Sequence, residues 1–245
     1  AVPIMLQNFI TNLVNMLDNL MVGSLGTEQM SGVSIVNQLV FVFNLCIFGG
    51  LSGIGIFTSQ FYGKKDNEGI RHTLRMKLIT AVAIVIIALA LFIAYGDFFI
   101  NQFLHEADDT GDLALTLSFA KEYLEVILIG LLPFALSQIL ASTLRETGNT
   151  FVPMLSGLVA VVINGCFNYL LIFGKAGFPA MGVKGAAIAT VMSRFAELAI
   201  ELVYIIVQRE KYPYINGAFR SLRIPRKLLV SILTKGSPLL VNEFL

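Results

Sequence analysis

Between Leu78 and Tyr95 the sequence runs through AVAIVIIALALFIA with no polar side chain beyond Thr80 and Tyr95. At about 1.5 Å per residue, a helix of that length covers roughly the 30 Å of a bilayer's hydrocarbon. A segment in lipid must satisfy its own backbone hydrogen bonds, so this stretch reads as a transmembrane helix. The rest of the chain agrees: of 245 residues 56% are hydrophobic and 13% charged, against roughly 25% charged in a soluble protein. With 17 basic and 16 acidic residues there is no surplus to neutralise a phosphate backbone, which excludes nucleic acid as a partner.

Six stretches of this kind can be marked, at about 3–22, 33–62, 77–96, 121–143, 151–173 and 183–207. The expected fold is therefore an all-α membrane protein, a six-transmembrane-helix bundle embedded in the lipid bilayer. Gly49, Gly50, Gly53 and Gly55 in the second stretch suit close helix packing or a bend. Lys and Arg fix the orientation. The connections 63–77, 144–150 and 208–235 hold 13 of them, and the alternate connections hold only Lys121, Lys175 and Lys184. The basic connections are thus expected in the cytoplasm, together with the N-terminus. The chain opens without Met and almost inside a span, so we expect its natural N-terminus to lie further upstream.

The first ten residues, AVPIMLQNFI, align with the last ten, GSPLLVNEFL, pairing Pro3 with Pro238, Gln7 with Asn242, Asn8 with Glu243 and Phe9 with Phe244. Six spans lie between the two, so a seventh would enter the membrane in the same direction as the first. That describes a parallel repeat about an axis along the membrane normal, with 208–235 as a cytoplasmic loop between two lobes and 236–245 as the start of the second. Chance likeness between two apolar helix starts is the competing explanation.

Polar side chains inside spans are costly and therefore informative. In the first span Gln7, Asn8, Thr11, Asn12, Asn15, Asp18 and Asn19 fall within about 140° of arc, which reads as a cavity lining or as a hydrogen-bonded seam between helices. Ser34, Asn37, Gln38, Phe41 and Asn44 share a face of the second span, to line the same cavity or pack against the first helix. Asn164 and Asn168 lie four apart on the fifth. In the sixth, Thr190, Ser193, Arg194, Glu197 and Glu201 form a stripe in which Arg194 and Glu197 are expected to pair as a structural ion pair.

Soluble-enzyme chemistry finds no footing. His72 and His105 both lie in connections and neither belongs to a metal-ligand spacing, GGLSGIG at 49–55 sits inside an apolar helix, and no Walker motif occurs. The chain is not expected to be an enzyme or to carry an organic cofactor. Cys46 and Cys166 lie 120 residues apart in apolar runs and read as packed free thiols.

In this setting several separated motifs, in order, resemble the N-terminal half of a multidrug and toxic compound extrusion (MATE) transporter. They are PIMLQNFITNLVNMLDNLMVGSLG with Pro3 and Asp18, SQFYGKKD at 59–66, LRETGNTFVP at 144–153, NGCFNYLLIFG at 164–174 and GAAIATVMSR at 185–194. The resemblance implies one lobe of a twelve-helix, two-lobe transporter in the bacterial inner membrane, with the C-terminal lobe of the same transporter as its partner. It further implies antiport, in which a cationic or amphipathic organic compound leaves the cell while H⁺ or Na⁺ enters. Matched motif by motif, it places a cavity at Asp18, Asn164, Asn168 and Thr190, a set with oxygens for Na⁺ as well as for a protonated acid. Many relatives carry a second carboxylate where this sequence has Asn168, and that departure leaves the coupling ion open.

A carboxylate facing such a cavity holds one positive partner at a time, so ligand and coupling ion compete for Asp18. Asn15, Gln38 and Asn44 are further cavity candidates. Glu243 is another, either as a functional acid opening the second lobe or as a residue that reaches water. Two alternatives stand beside drug export. A lipid-linked oligosaccharide flippase would need several basic residues for a pyrophosphate, where this chain has Arg194; a non-transporting membrane scaffold would use the polar stripes purely for packing.

Overall fold

The computed structural model describes residue 16 and residues 18–104, 112–218, 224–226, 228–232 and 234. After a helical stretch at 18–23 come α1 (Thr27–Gly63), α2 (Asn67–Leu104), α3 (Leu113–Ile129), α4 (Leu131–Glu146), α5 (Phe151–Phe173) and α6 (Gly182–Val207), and no strand occurs among the described residues. Three of these helices, α1, α2 and α5, are long and apolar enough to cross a membrane. The most apolar, α2, has only 17% of its best window buried, so Ile86, Ile87 and Ile93 form an outward face suited to lipid.

The stretch expected to cross at 121–143 departs from a straight span. It is broken at Gly130 into α3 and α4, bent by 46°, and counts as a fourth crossing only when the pair is taken together. Pro133 explains the break: in the first turn of α4 it has no N–H to offer the preceding turn and its ring crowds the carbonyl at Ile129. The first predicted stretch lies mostly outside the described residues. The sixth, α6, is 26 residues long, but Arg194, Glu197 and Glu201 within it make it too charged to register as a span by composition.

Those charges are accommodated inside the bundle. Glu201 has no exposed surface and accepts hydrogen bonds from Ser137 Oγ of α4 and Ser156 Oγ of α5, each at 3.0 Å. The expected pair between Arg194 and Glu197 is absent among the described ion pairs. Instead the Arg194 guanidinium lies 5.2 Å above the Phe134 ring, drawn there because the bend opens a place beside Gly130.

Helix ends and glycine contacts set the packing. Asp112 caps α3 by accepting from the N–H groups of Ala114 at 3.0 Å and Leu115 at 3.2 Å. The turn after α5 begins at Gly174, whose φ of 64° is left-handed and where a Cβ would meet Ala180 N at 2.6 Å. That turn sends α6 back along α5, and at Gly185 the two helices are so close that a Cβ would lie 2.8 Å from the Leu171 backbone. Gly50 and Gly55 in α1 are likewise buried against Ile84 and Glu146, so the glycines of this helix serve packing. Of the two cysteines, both free, Cys46 is half-buried but Cys166 is exposed, because it falls on the outward face of α5.

The segment after α6 was expected to be a loop, yet its first part is strapped to the basic end of the bundle. Arg71 donates to the carbonyls of Pro213 at 2.9 Å and Tyr214 at 3.3 Å, and Arg75 donates to those of Ala218 at 2.5 Å and Gly217 at 3.3 Å. Asn149 donates to the hydroxyls of Tyr204 at 2.9 Å and Tyr212 at 2.8 Å. Burial, reinforced by the Tyr204 hydroxyl, pushes Tyr212 up to about 12, so it remains a neutral hydroxyl.

Candidate functional site

The helical stretch at 18–23 delivers Asp18 to the flank of α5, where Asn168 Nδ2 donates to Asp18 Oδ1. One turn earlier on α5, Asn164 reaches the same group. With its amide nitrogen toward the carboxylate it donates to Asp18 Oδ2 at 2.7 Å and Oδ1 at 3.1 Å, while its oxygen accepts from Thr190 Oγ1 at 3.2 Å. Turned the other way, Asn164 donates to Thr190 Oγ1 at 3.2 Å and accepts from Asn168 Nδ2 at 3.2 Å, which sets its oxygen against the carboxylate. An ionised Asp18 selects the first orientation, since two acceptors repel. Thr190 works with either, because its hydroxyl also has the Ala186 carbonyl to donate to, at 3.0 Å.

Asn164 and Asn168 are both buried, as the 3.6-residue period places i and i+4 on one face and that face packs on α6. Asn168 Oδ1 is buried without a hydrogen-bond partner. The cluster therefore combines a carboxylate, two amides and a hydroxyl, and it offers oxygens at Asp18, Asn168, Asn164 and Thr190. Such a set suits a hard monovalent cation or a hydrogen-bonded carboxylic acid. Among the described residues no group of three or more His, Cys, Asp or Glu side chains gathers as a transition-metal site would require.

Asp18, Asn168 and Thr190 also open onto a cavity of about 350 Å³, walled on its other sides by α1, α3 and α6. Its polar lining includes Asn37 and Asn44 from α1, Tyr123 from α3 and Arg194 from α6. Tyr123 donates from its hydroxyl to Asn37 Oδ1 at 3.3 Å. Thus Asn44, a predicted candidate, lines the cavity, and its Oδ1 is buried without a partner. Gln38 is exposed on α1 and is not among the lining residues. Asn15 and Glu243 lie outside the described residues, as do the polar positions of the first span before it.

Sequence reasoning missed Tyr123, which stands among Lys121, Glu122 and Glu125 near the start of a predicted span, where no periodic signal set it apart. It also misjudged Arg194, whose spacing to Glu197 suggested an internal pair. The available signal was Gly130 with Pro133, which marks a break in the neighbouring span and hence room for a long side chain.

A probable multidrug resistance protein NorM of Thermotoga maritima is 32% identical over 244 residues, covering 100% of this chain and 50% of its own length. A probable multidrug resistance protein YoeA of Bacillus subtilis is 28% identical over 251 residues, covering 100% of this chain and 51% of its own. The chain spans about half the length of the curated relatives it matches. In fold it is similar to a crystal structure of MATE in the bent conformation, with a TM-score of 0.80 at 22% identity over 100% of this chain and 52% of that one. The MatE family model matches residues 3–170, and on that match the chain belongs to the MatE family, the multidrug and toxic compound extrusion transporters.

Proposed function

We propose that this chain forms one lobe of a multidrug efflux antiporter, and that the exchange of ligand for coupling ion takes place at Asp18. One observation carries the reading: a carboxylate in a membrane bundle, held by the Asn168 and Asn164 amides at the wall of a cavity large enough for part of an organic ligand. A charge so placed is costly unless matched, and it accepts one positive partner at a time. A proton or Na⁺ bound there cancels the attraction that holds a cationic ligand, so inward movement of the ion drives the ligand out. Asn164, Asn168 and Thr190 supply the neutral oxygens that either ion requires.

The basic connections at 63–77 and 208–235 support an orientation with that end of the bundle in the cytoplasm of a bacterial inner membrane. A second lobe, beginning after the loop, completes the cavity. A flippase of pyrophosphate-linked lipids fits less well, because among the described residues Arg194 is the one basic residue lining the cavity.

The test is ion-driven efflux of a fluorescent organic cation from vesicles carrying the full-length transporter. Asp18→Asn is expected to reduce efflux at least tenfold with the protein still present in the membrane. Imposing a Na⁺ gradient and a pH gradient separately identifies the ion. Undiminished efflux by the Asn variant removes Asp18 from the mechanism.

A further inference from the structure

Arg194, half-buried, stands apart from the charges enclosed in the bundle. Lys77 has Glu146, and Glu201 has two serine hydroxyls. Arg194 Nη1 is buried without a hydrogen-bond partner, and among the described residues no carboxylate comes within ion-pair distance of the guanidinium. Its contacts are the face of Phe134 at 5.2 Å and the open flank of Gly130, where a Cβ would come within 3.2 Å of Nη1. Glu197, three residues further along α6, acts on this charge from a distance but forms no ion pair with it, so the planar fork of donors at the cavity wall is open to an anion.

Its position supplies the geometry. Thr190, at the Asp18 cluster, and Arg194 are four residues apart on α6, so their Cα atoms are separated by about 6 Å along the helix axis. Both side chains line the same cavity, and Tyr123 lies within electrostatic reach of Arg194 and Asp18 alike. The described lining thus contains one acid and one base in different parts of a single space, with a net charge of zero. A monocation satisfies Asp18 and leaves Arg194 bare; a monoanion does the reverse. A compound carrying both charges satisfies the two together.

Resting on the export reading above, we infer that the cavity selects zwitterionic amphiphiles, with the cationic group at Asp18 and a carboxylate on the Arg194 guanidinium. Asn44, whose amide oxygen is buried and unpartnered, adds an acceptor at the cavity wall for a donor on the ligand. The coupling ion competes with the cationic group alone, so Arg194 contributes to selection and not to the exchange step. Gly130 is part of the arrangement because a Cβ there would come within 3.2 Å of both Arg194 Cδ and Nη1 and press the side chain out of position.

The experiment compares two rhodamines that share one fluorophore, a methyl ester that is a monocation and its free acid that is a zwitterion. Efflux of each from vesicles with the full-length transporter gives a zwitterion-to-cation ratio. Arg194→Gln is expected to lower that ratio about tenfold, while Arg194→Lys, which keeps the charge, holds it within threefold. A ratio that Arg194→Gln leaves unchanged, or a loss of both probes by Gln and Lys variants alike, overturns the assignment. Fluorescence polarisation of the same probes on purified protein separates the two readings. If the vesicles export neither probe the efflux reading fails, yet the Arg194 assignment still predicts tenfold weaker zwitterion binding in the Gln variant and falls if binding is equal.

Discussion

Lys77 Nζ lies 2.5 Å from Glu146 Oε2, joining α2 to α4 at the basic end of the bundle, with Lys77 wholly enclosed and Glu146 nearly so. Ser142 and Thr143 hydroxyls accept the remaining donors at 2.9 and 3.2 Å, so the ammonium is fully coordinated. Removing one member of such a pair leaves a charge with no partner and little water, at a cost of about 3–5 kcal/mol. Lys77→Met is therefore expected to lower the thermal unfolding temperature in detergent sharply. The double variant Lys77→Met with Glu146→Leu recovers most of the loss. A single variant as stable as the parent contradicts this account.

Glu201 makes a different demand. It accepts from two hydroxyls, and among the described residues no cation lies within ion-pair distance of it, so the site needs acceptors more than it needs charge. Glu201→Gln preserves shape and an acceptor and is expected to change stability by less than about 1 kcal/mol. Glu201→Ala orphans a serine and opens a void, costing about 2–4 kcal/mol. Unfolding curves that rank the two variants the other way would show that the negative charge itself is required.

Asn168→Asp places a second carboxylate within hydrogen-bond reach of Asp18. Two such groups share a proton or bind a cation between them. The variant is expected to gain a melting temperature that rises with Na⁺, through preferential binding to the folded state, where the parent rises less. Choline chloride at equal ionic strength is the control. Identical Na⁺ and choline curves for the variant argue against a cation site here.

The strap at 212–218 is held largely through guanidinium-to-carbonyl hydrogen bonds. Arg71→Ala together with Arg75→Ala removes these donors, and limited proteolysis is expected to cut the segment about tenfold faster than in the parent, without loss of the folded bundle. Equal cleavage rates would mean that Tyr212 and Tyr214 alone hold it.

Much of this architecture was legible because lipid leaves so few choices. Apolar length fixed α1, α2 and α5, and the i, i+4 period put Asn164 and Asn168 on the face that meets Asp18. What escaped depended on local exceptions. Gly130 and Pro133 split one expected span, and Arg194 went to the gap they leave in preference to its sequence neighbour Glu197. The 211–218 segment looked like a free loop because the groups that hold it, Arg71, Arg75 and Thr147, lie more than sixty residues away in sequence. Tyr123 reached the cavity through the placement of α3, which no periodicity in its own helix announces.

Asn164 joins the two sides of the cluster, because its amide nitrogen donates to Asp18 Oδ2 at 2.7 Å while its oxygen accepts from Thr190 Oγ1 at 3.2 Å. One side chain of α5 thus ties the helical stretch at 18–23 to α6. Shortening it deprives the carboxylate and the hydroxyl of a partner at the same moment, so the two ends of the cluster cannot be loosened one without the other.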